Sequence, residues 1–402
     1  MSLLEKLTGK NRGLSAYGQY QSEYIYPILE GPLKSRMTFK GREVIVWSFN
    51  DYLGLQSDDK VIQAETEIVK KYGSGYPAGS RLLTGNTVYH EQLEQEISQL
   101  IGKDVLLLNF GYQGIMSVVD SLVDRHETII YDQQVHASLI DGVRLHQGPK
   151  FSYKHNDIHQ LERLLSKVQS GSEVLVLVDG VFSMRGDTAN VADILRLKET
   201  YEFTLLVDDA HGFMSFGERG SVGDLMPQVD IYISTFAKAL ATTGGFVAAR
   251  KEFIDYFKYN LRSQTFGRTL PLLTVASVLF KLKLLAEEGT ERRNKLWKNT
   301  RLLQEGLKTL GYDIGNTCSP ITPIYLTYSE ETTTAFLGEL RYTYRVFCSP
   351  VVYPVVPKGT LILRLIVTAL HEEEDIIQTL DAFAKLQQTY ALNSEPEYSE
   401  DQ

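Results

Sequence analysis

Lys238 stands in IYISTFAKALATTGG, residues 231–245, just past a short apolar run and beside Phe236, Ala239 and Leu240. A lysine among such neighbours is poorly placed for a solvated charge. Burial favours the neutral amine, which can then act as nucleophile or base. That is the state a lysine needs to form a Schiff base with a carbonyl cofactor such as pyridoxal phosphate. A lysine that lays its stem on apolar surface and reaches water fits the same stretch. Asp208 tips the balance toward chemistry: it closes a second apolar run, residues 204–207, in TLLVDDAHG.

Other polar residues sit in equivalent places. Asn109-Phe110-Gly111-Tyr112-Gln113-Gly114 follows the apolar run 105–108 and leads into a helix expected to begin near Ile115. A glycine-bearing turn there exposes backbone N–H groups at a helix N-terminus, a ready phosphate site. It is not the GxGxxG of a dinucleotide fingerprint. His136 follows the run 128–131, Ser183 follows 173–178, and His211, Thr235 and Lys238 complete the series. A lone aspartate after a strand is ordinarily a cap, and a lone histidine an ordinary hydrogen-bonding group. Repeated at successive strand ends they suggest a shared cleft, because ligands gather at the carboxyl ends of strands in an α/β sheet. Asn50 and Tyr52, in VIVWSFNDYLGL, end a similar run.

The elements that would position these residues alternate strand and helix from residue 104 onward. Apolar runs at 105–108, 128–131, 151–153, 173–178, 204–207 and 231–234 alternate with helical patterns, such as that of residues 191–201. This argues for a mostly parallel α/β sheet. The run 173–178, EVLVLV, suits a strand buried on both faces. Before them, 60–72 reads as a helix ending at Gly73, and 90–101 as an amphipathic helix with Leu93, Ile97, Leu100 and Ile101 on one face. Between those two lies GSGYPAGSRLLTGNT, residues 73–87: either a loop whose backbone approaches a ligand or a plain connection. From about Arg292 the character changes. A helix is expected over 294–310, short strands over 321–326, 347–352 and 361–366, and a closing helix over 372–386. The expected organisation is an N-terminal arm (1–45), a large domain (46–291), a smaller α+β C-terminal domain (292–390) and a disordered acidic tail (391–402).

Composition sets the bounds. The chain has 402 residues, 43% hydrophobic and 23% charged, an ordinary globular make-up. A net charge of -9 gives no electrostatic support to a nucleic-acid partner. Cys318 and Cys348 are the two cysteines and form no metal-type spacing, so no metal site is expected and a reducing compartment fits. No apolar run approaches the ~20 residues of a membrane span, and MSLLEKLTGK lacks the apolar core of a signal peptide. A cytoplasmic protein is the expectation.

The order Gly-aromatic, His, Ser, Asp-x-x-His and Thr-x-x-Lys resembles the fold-type-I pyridoxal phosphate (PLP) enzymes. More narrowly the chain is similar to the α-oxoamine synthases, from NDYLGL through HASLIDG, VFSMRGD, VDDAHG and TFAK to LRLIVTALH. SPVVYPVVP and the GSR of the glycine-rich loop lean toward the serine palmitoyltransferase branch. The resemblance implies an α/β fold-type-I transferase, with helices on both faces of the central sheet and a smaller C-terminal α+β domain. It implies that Lys238 bonds PLP and that Asp208 keeps the pyridine nitrogen protonated. It implies that His136 stacks on the ring, and that Ser183 and His211 hydrogen-bond its hydroxyl. Gly111, Tyr112 and Thr235 would bind the phosphate, and Arg364, helped by Asn50 and Tyr52, would clamp the amino-acid carboxylate.

The implied reaction is decarboxylative condensation of an acyl thioester, on CoA or a carrier protein, with a small amino acid, giving an α-amino ketone. The alternatives are another PLP activity on this fold, namely 2-amino-3-ketobutyrate ligase, aminooxononanoate synthase, an aminotransferase or an aldolase. A non-enzymatic binding protein would have no use for the Lys238–Asp208 pair. A homodimer with shared sites, and peripheral membrane contact through a lipid product, belong to the same resemblance. The chain departs from the family pattern in three places. Ile115 stands where many members have Asn. FGRTLP, residues 266–271, replaces a Ser/Thr-rich segment and adds Arg268. The glycine-rich loop is about one residue longer. These departures bear on the substrate, with serine, glycine, alanine and a sulfonated analogue all open, and less on the cofactor.

Overall fold

The computed structural model describes residues 26–168, 171–326, 330–351 and 361–390. The expected arm up to residue 25 and the acidic tail lie outside these. The described residues form two compact units: those of 50–183 with 187–294, and those of 26–49, 184–186 and 295–390.

The first three strands, β1 (Leu29–Glu30), β2 (Arg36–Phe39) and β3 (Arg42–Val46), belong to the smaller unit. The larger unit is built on a seven-stranded sheet. Its strands are β4 (Asp104–Leu108), β5 (Thr128–Asp132), β6 (Lys150–Tyr153), β7 (Val174–Asp179), β8 (Thr204–Asp208), β9 (Ile231–Thr235) and β10 (Gly245–Ala249). Their order is β4-β10-β9-β8-β7-β5-β6. β10 is antiparallel to both β4 and β9; every other pairing is parallel. β7, β9 and β10 are buried at every position, so both faces of the sheet's middle are covered, as their unbroken apolar sequences require. The fold is the mostly parallel α/β sheet expected. The reversed strand had no assignment in the sequence pattern. It arises because the chain turns back after β9 at Gly244, φ 99°, and pairs Gly245 with Thr235.

Two helices begin at the polar residues that come after β4 and β5. The helix Gly111–Leu122 starts at Gly111, not near Ile115. Phe110, extended at φ -141°, is its N-cap, and Gly114 N already bonds Phe110 O at 2.8 Å. A pattern read from apolar spacing starts late because the first turn, GYQG, carries no apolar stripe. The helix Ala137–Leu145 packs against it and begins directly after His136. The core joining helices to sheet includes Leu108, Ile115, Val119, Leu139, Leu177 and Ile233, all buried. Further along, the expected helix 191–201 tightens from α-helix at Val191–Arg196 into a 3₁₀ turn at Leu197–Glu199.

The smaller unit holds a four-stranded sheet and a three-stranded one. The first pairs β1, β2, β3 and Val346–Phe347; the second pairs Ile321–Leu326, Leu361–Ile366 and Ser349–Val351. The single strand expected over 347–352 is therefore two short strands in different sheets. The expected helix 294–310 is also corrected: it is the end of one 38-residue helix, Leu272–Thr309. Its charged middle, EEGTERRNK, breaks the apolar pattern without breaking the helix. In this unit Trp47 stacks on His371 at 3.9 Å and donates to Thr379 at 3.0 Å.

The packing of the two helices around His136 gives a stability test. A Cβ on Gly142 would lie 2.7 Å from Cβ of Val119. Gly142→Ala should cost about 1–3 kcal/mol, the usual range for overpacking. The check is a lowered denaturant midpoint at unchanged slope. Val119→Ala in the same chain should recover part of the loss.

Candidate active site

One end of the large unit's sheet gathers the polar residues singled out above. β7 and β8 are in register with Asp179 opposite Asp208, so two carboxylates stand side by side at the carboxyl ends of neighbouring strands. Both are buried. Burial pushes the Asp208 carboxyl up to about 7; the Ala210 amide and the Lys238 charge pull it down, and Asp209 adds to the rise. Asp179 is pushed well above the carboxylate range by burial first, then by the Asp208 charge. Asp179 accepts the His136 N–H at 3.1 and 3.2 Å.

Lys238 lies in the loop between β9 and β10. Phe236 N donates to Gly244 O at 2.9 Å, Ala241 N to Lys238 O at 2.9 Å, and Thr242 N to Phe236 O at 2.9 Å. Lys238 itself is half-buried between the fully buried Phe236 and Leu240. The buried Lys281 amine donates to Leu240 O at 3.0 Å and lies 3.7 Å from Glu65. Thr235 Oγ1 donates to Gly244 O at 2.8 Å and accepts from Ala237 N at 3.1 Å. A Cβ on Gly111 would come within 2.9 Å of Thr235 Oγ1, so only glycine lets that helix start pack so close to β9.

A cavity of about 270 Å³ joins these parts. Gly111, Tyr112, His136, Ser183, Asp208, His211, Thr235 and Lys238 all line it, together with Ile115, Ser138, Asp179 and Thr243 among others. His136 caps the helix that follows it, its Nδ1 2.8 Å from Ser138 Oγ, while its ring stays exposed and edge-on to Tyr112 at 6.0 Å. Tyr112 donates to Asp141 at 2.5 Å. His211 is buried and shares a 2.7 Å hydrogen bond with the Tyr52 hydroxyl through Nδ1. Tyr52 therefore stands behind His211. Asn50, half-buried, keeps a buried Oδ1 without a hydrogen-bond partner among the described residues. Arg364 lies on strand Leu361–Ile366 of the smaller unit, in register with Pro323 and Ser349. Arg268 is exposed and donates to Gly75 O in the glycine-rich loop.

These residues fit PLP. The helix Gly111–Leu122 has no side-chain cap, which leaves its first N–H groups for a phosphate beside Thr235. The paired carboxyls Asp179 and Asp208 lack a full counter-charge, which a protonated ring nitrogen would supply. The Lys238 amine lines the same space.

The comparisons agree. The family model for aminotransferase class I and II matches residues 42–383. A cysteate-C-fatty acyltransferase of Capnocytophaga ochracea is 44% identical over 375 residues, covering 91% of this chain and 89% of the relative. A serine palmitoyltransferase of Bacteroides ovatus is 36% identical over 375 residues, covering 91% and 94%. A serine palmitoyltransferase of S. paucimobilis, solved with a bound PLP–myriocin aldimine, has a TM-score of 0.90 at 27% identity over 97% of this chain and 99% of that one. The chain belongs to the class I and II aminotransferase family, in its α-oxoamine synthase branch. Its cofactor is pyridoxal phosphate and its activity is that of a PLP-dependent acyltransferase.

Sequence reasoning missed Asp179 and His155. Asp179 ends the run VLVLVD just as Asp208 ends TLLVD, so the same strand-end signal was there. His155 carried none: what sets it apart is its contacts with Asp132 and Asp187, distant in sequence.

The carboxyl pair gives a pH prediction. Both groups keep their protons to higher pH in the folded chain than the ~3.9 of an unfolded aspartate, so the unfolded chain binds fewer protons between about pH 4 and 7. Stability of the cofactor-free protein should fall as pH rises across that window, and the fall should be shallower in Asp208→Asn. Thermal midpoints measured at stepped pH check this; a midpoint that is flat or rises in wild type contradicts it.

Proposed function

We propose that this protein condenses a fatty acyl thioester with cysteate, releasing CO2 and a free thiol and leaving an α-amino ketone. The decarboxylative condensation rests on one observation above all: Lys238 and the Asp208–Asp179 pair share a cavity in an α-oxoamine synthase chain. Bound PLP supplies an electron sink for the amino acid's α-carbon. The chain's own groups do the rest. Lys238 Nζ would hold the cofactor and would take and return the amino acid's α-proton. Asp208, with Asp179 beside it, would hold the proton on the ring nitrogen. His136 presents its exposed ring to the cavity. Ser183 and the Tyr52-backed His211 would hydrogen-bond the ring hydroxyl. Gly111, Tyr112 and Thr235 would take the phosphate at the helix start. Arg364, with Asn50, is assigned the substrate carboxylate. In the substrates, a carbon–carbon bond forms to the acyl carbonyl, its C–S bond breaks, and the amino acid's carboxylate leaves as CO2.

Cysteate is preferred because the 44% relative bears that name. Serine is the second reading, on the 36% relative and the 0.90 structural likeness. We also read the working form as a cytoplasmic homodimer in which a second copy completes each site, with membrane contact only through the lipid product. Phe110, Leu83, Val88 and Phe266, all more than half exposed on the large unit, are large apolar side chains that a second copy would cover. No helix among the described residues is long and apolar enough to cross a membrane.

Two experiments test the chemistry. Borohydride should fix the cofactor to Lys238 in a peptide map; an adduct on another lysine contradicts the assignment. Carboxyl-labelled cysteate and serine, each with a fatty acyl-CoA, should release labelled CO2 and thiol in equal amounts, with kcat/KM higher for cysteate. Keto acid without thiol release would mean an aminotransferase. Asp208→Asn should lower kcat about 10²–10³-fold, the scale for one aimed electrostatic group. A variant within about tenfold of wild type, ~1.4 kcal/mol, refutes that role.

A further inference from the structure

His155, just past β6, lies between two carboxylates on different segments. Its Nδ1 is 3.2 Å from both oxygens of Asp132, at the end of β5. Its Nε2 is 3.1 Å from Asp187 Oδ2. A neutral imidazole has a single N–H and can donate to one of them only. Two carboxylates facing two ring nitrogens are both satisfied when both nitrogens carry hydrogen. Asn156 Nδ2 comes within 3.4 Å of Nε2, but donates to Thr188 O at 3.0 Å. The His155 side chain is about 11% exposed and packs edge-on to the buried Phe182 at 4.3 Å.

Each carboxylate anchors one wall of the cofactor cavity. Asp132 also accepts from Gln134 N at 2.8 Å and Asn156 N at 2.8 Å, and its own carbonyl accepts from Val135 N at 3.2 Å. That turn delivers His136 to the cavity. On the other side Phe182 N bonds Asp187 O at 2.9 Å, and Val181 bridges Thr188. That hairpin delivers Val181 and Ser183. Asn156, left-handed at φ 55°, extends the tie by donating to Thr188 O and accepting from Asn190 N at 3.3 Å.

We propose that His155, as a doubly protonated imidazole, is a positioning residue that ties together the two loops carrying His136 and Ser183 into the cofactor cavity. Burial draws the imidazole's proton affinity down, but hydrogen bonds and charge from Asp132 and Asp187 more than reverse this and hold it at about 9. Tyr153, the other titratable group here, is kept protonated by burial and by Asp132. The folded value lies above the ~6.5 of a free histidine, so the tie contributes fully below that pH and is lost as pH rises through about 9.

The inference rests on reading the cavity as the PLP site, and its test separates the two. His155→Gln keeps a side-chain amide but cannot carry the charge. In the cofactor-free protein its thermal midpoint should lie below wild type at about pH 7 and converge with it above about pH 9.5, where wild type has lost the same proton. That arm does not involve the cofactor. In the second arm the PLP dissociation constant should rise about tenfold or more near neutral pH, on the order of 1.4 kcal/mol. A midpoint gap that is absent, or independent of pH, overturns the imidazolium. A normal gap with unchanged PLP affinity overturns the positioning role and leaves the imidazolium standing. Failure of wild type itself to bind PLP would instead sink the reading of the cavity. Should His155→Gln not fold, nitrogen-15 spectra of histidine-labelled wild type and Asp187→Asn near pH 8 decide. One imidazole with both nitrogens protonated, perturbed by Asp187→Asn, supports the proposal; only neutral rings overturn it.

Discussion

Two carboxyls in register at the ends of β7 and β8 impose the central constraint on this molecule. Asp179 and Asp208 are buried, adjacent and without a full counter-charge. A buried charge without a partner is costly, and like charges side by side add to the cost. The fold meets part of this with backbone: Ala210 N donates to Asp208 at 3.2 Å, and His136 N to Asp179. The remainder is left for a ligand. A ring nitrogen that gains a proton on binding converts the cost into affinity, and the same proton makes the ring a better electron acceptor.

The neighbouring aspartate shows what full satisfaction looks like. Asp209 is as deeply buried as Asp208, yet accepts from Ser221 N at 2.8 Å, Ser221 Oγ at 2.7 Å and Tyr232 Oη at 2.9 Å. Adjacent carboxyls in one strand-end turn thus have opposite uses. Asp209 points into the protein and organises the turn. Asp208 points into the cavity, its carboxylate accepting from the Ala210 backbone. Alternation along the chain is enough to separate a structural from a chemical carboxylate.

Much of this was legible in the sequence, for a physical reason. In a parallel sheet each strand is a short apolar run, and the residues that follow its carboxyl end are the ones that reach the cleft. Looking for polar residues and glycines in the few positions after each run therefore found Asp208, Thr235, His136 and Gly111, and all line one cavity. What escaped depended on pairing. The reversed strand Gly245–Ala249 looks like any other apolar run until its partners are known. The long helix Leu272–Thr309 hides behind a charged middle. His155 acts through residues 132 and 187, which no local pattern connects to it.

The charge pattern of the cavity suits a ligand whose two ends differ in charge. Among the described residues, Lys238 is the one lysine or arginine lining it. In the proposed binding mode the phosphate end would rely on the start of the helix Gly111–Leu122 and on Thr235, neutral groups whose hold depends on geometry and not on net charge. The ring end presents carboxyls. A free phosphate or carboxylate entering in reverse would meet the carboxyls of Asp208 and Asp179, which offer it no counter-charge. A molecule anionic at one end and protonatable at the other fits in one direction. The anchors behind the walls keep this field fixed: Lys281 holds the Lys238 loop through Leu240 O, and His155 joins the segments behind His136 and Ser183. Orientation in this site follows from where formal charge was left out as much as from where it was placed.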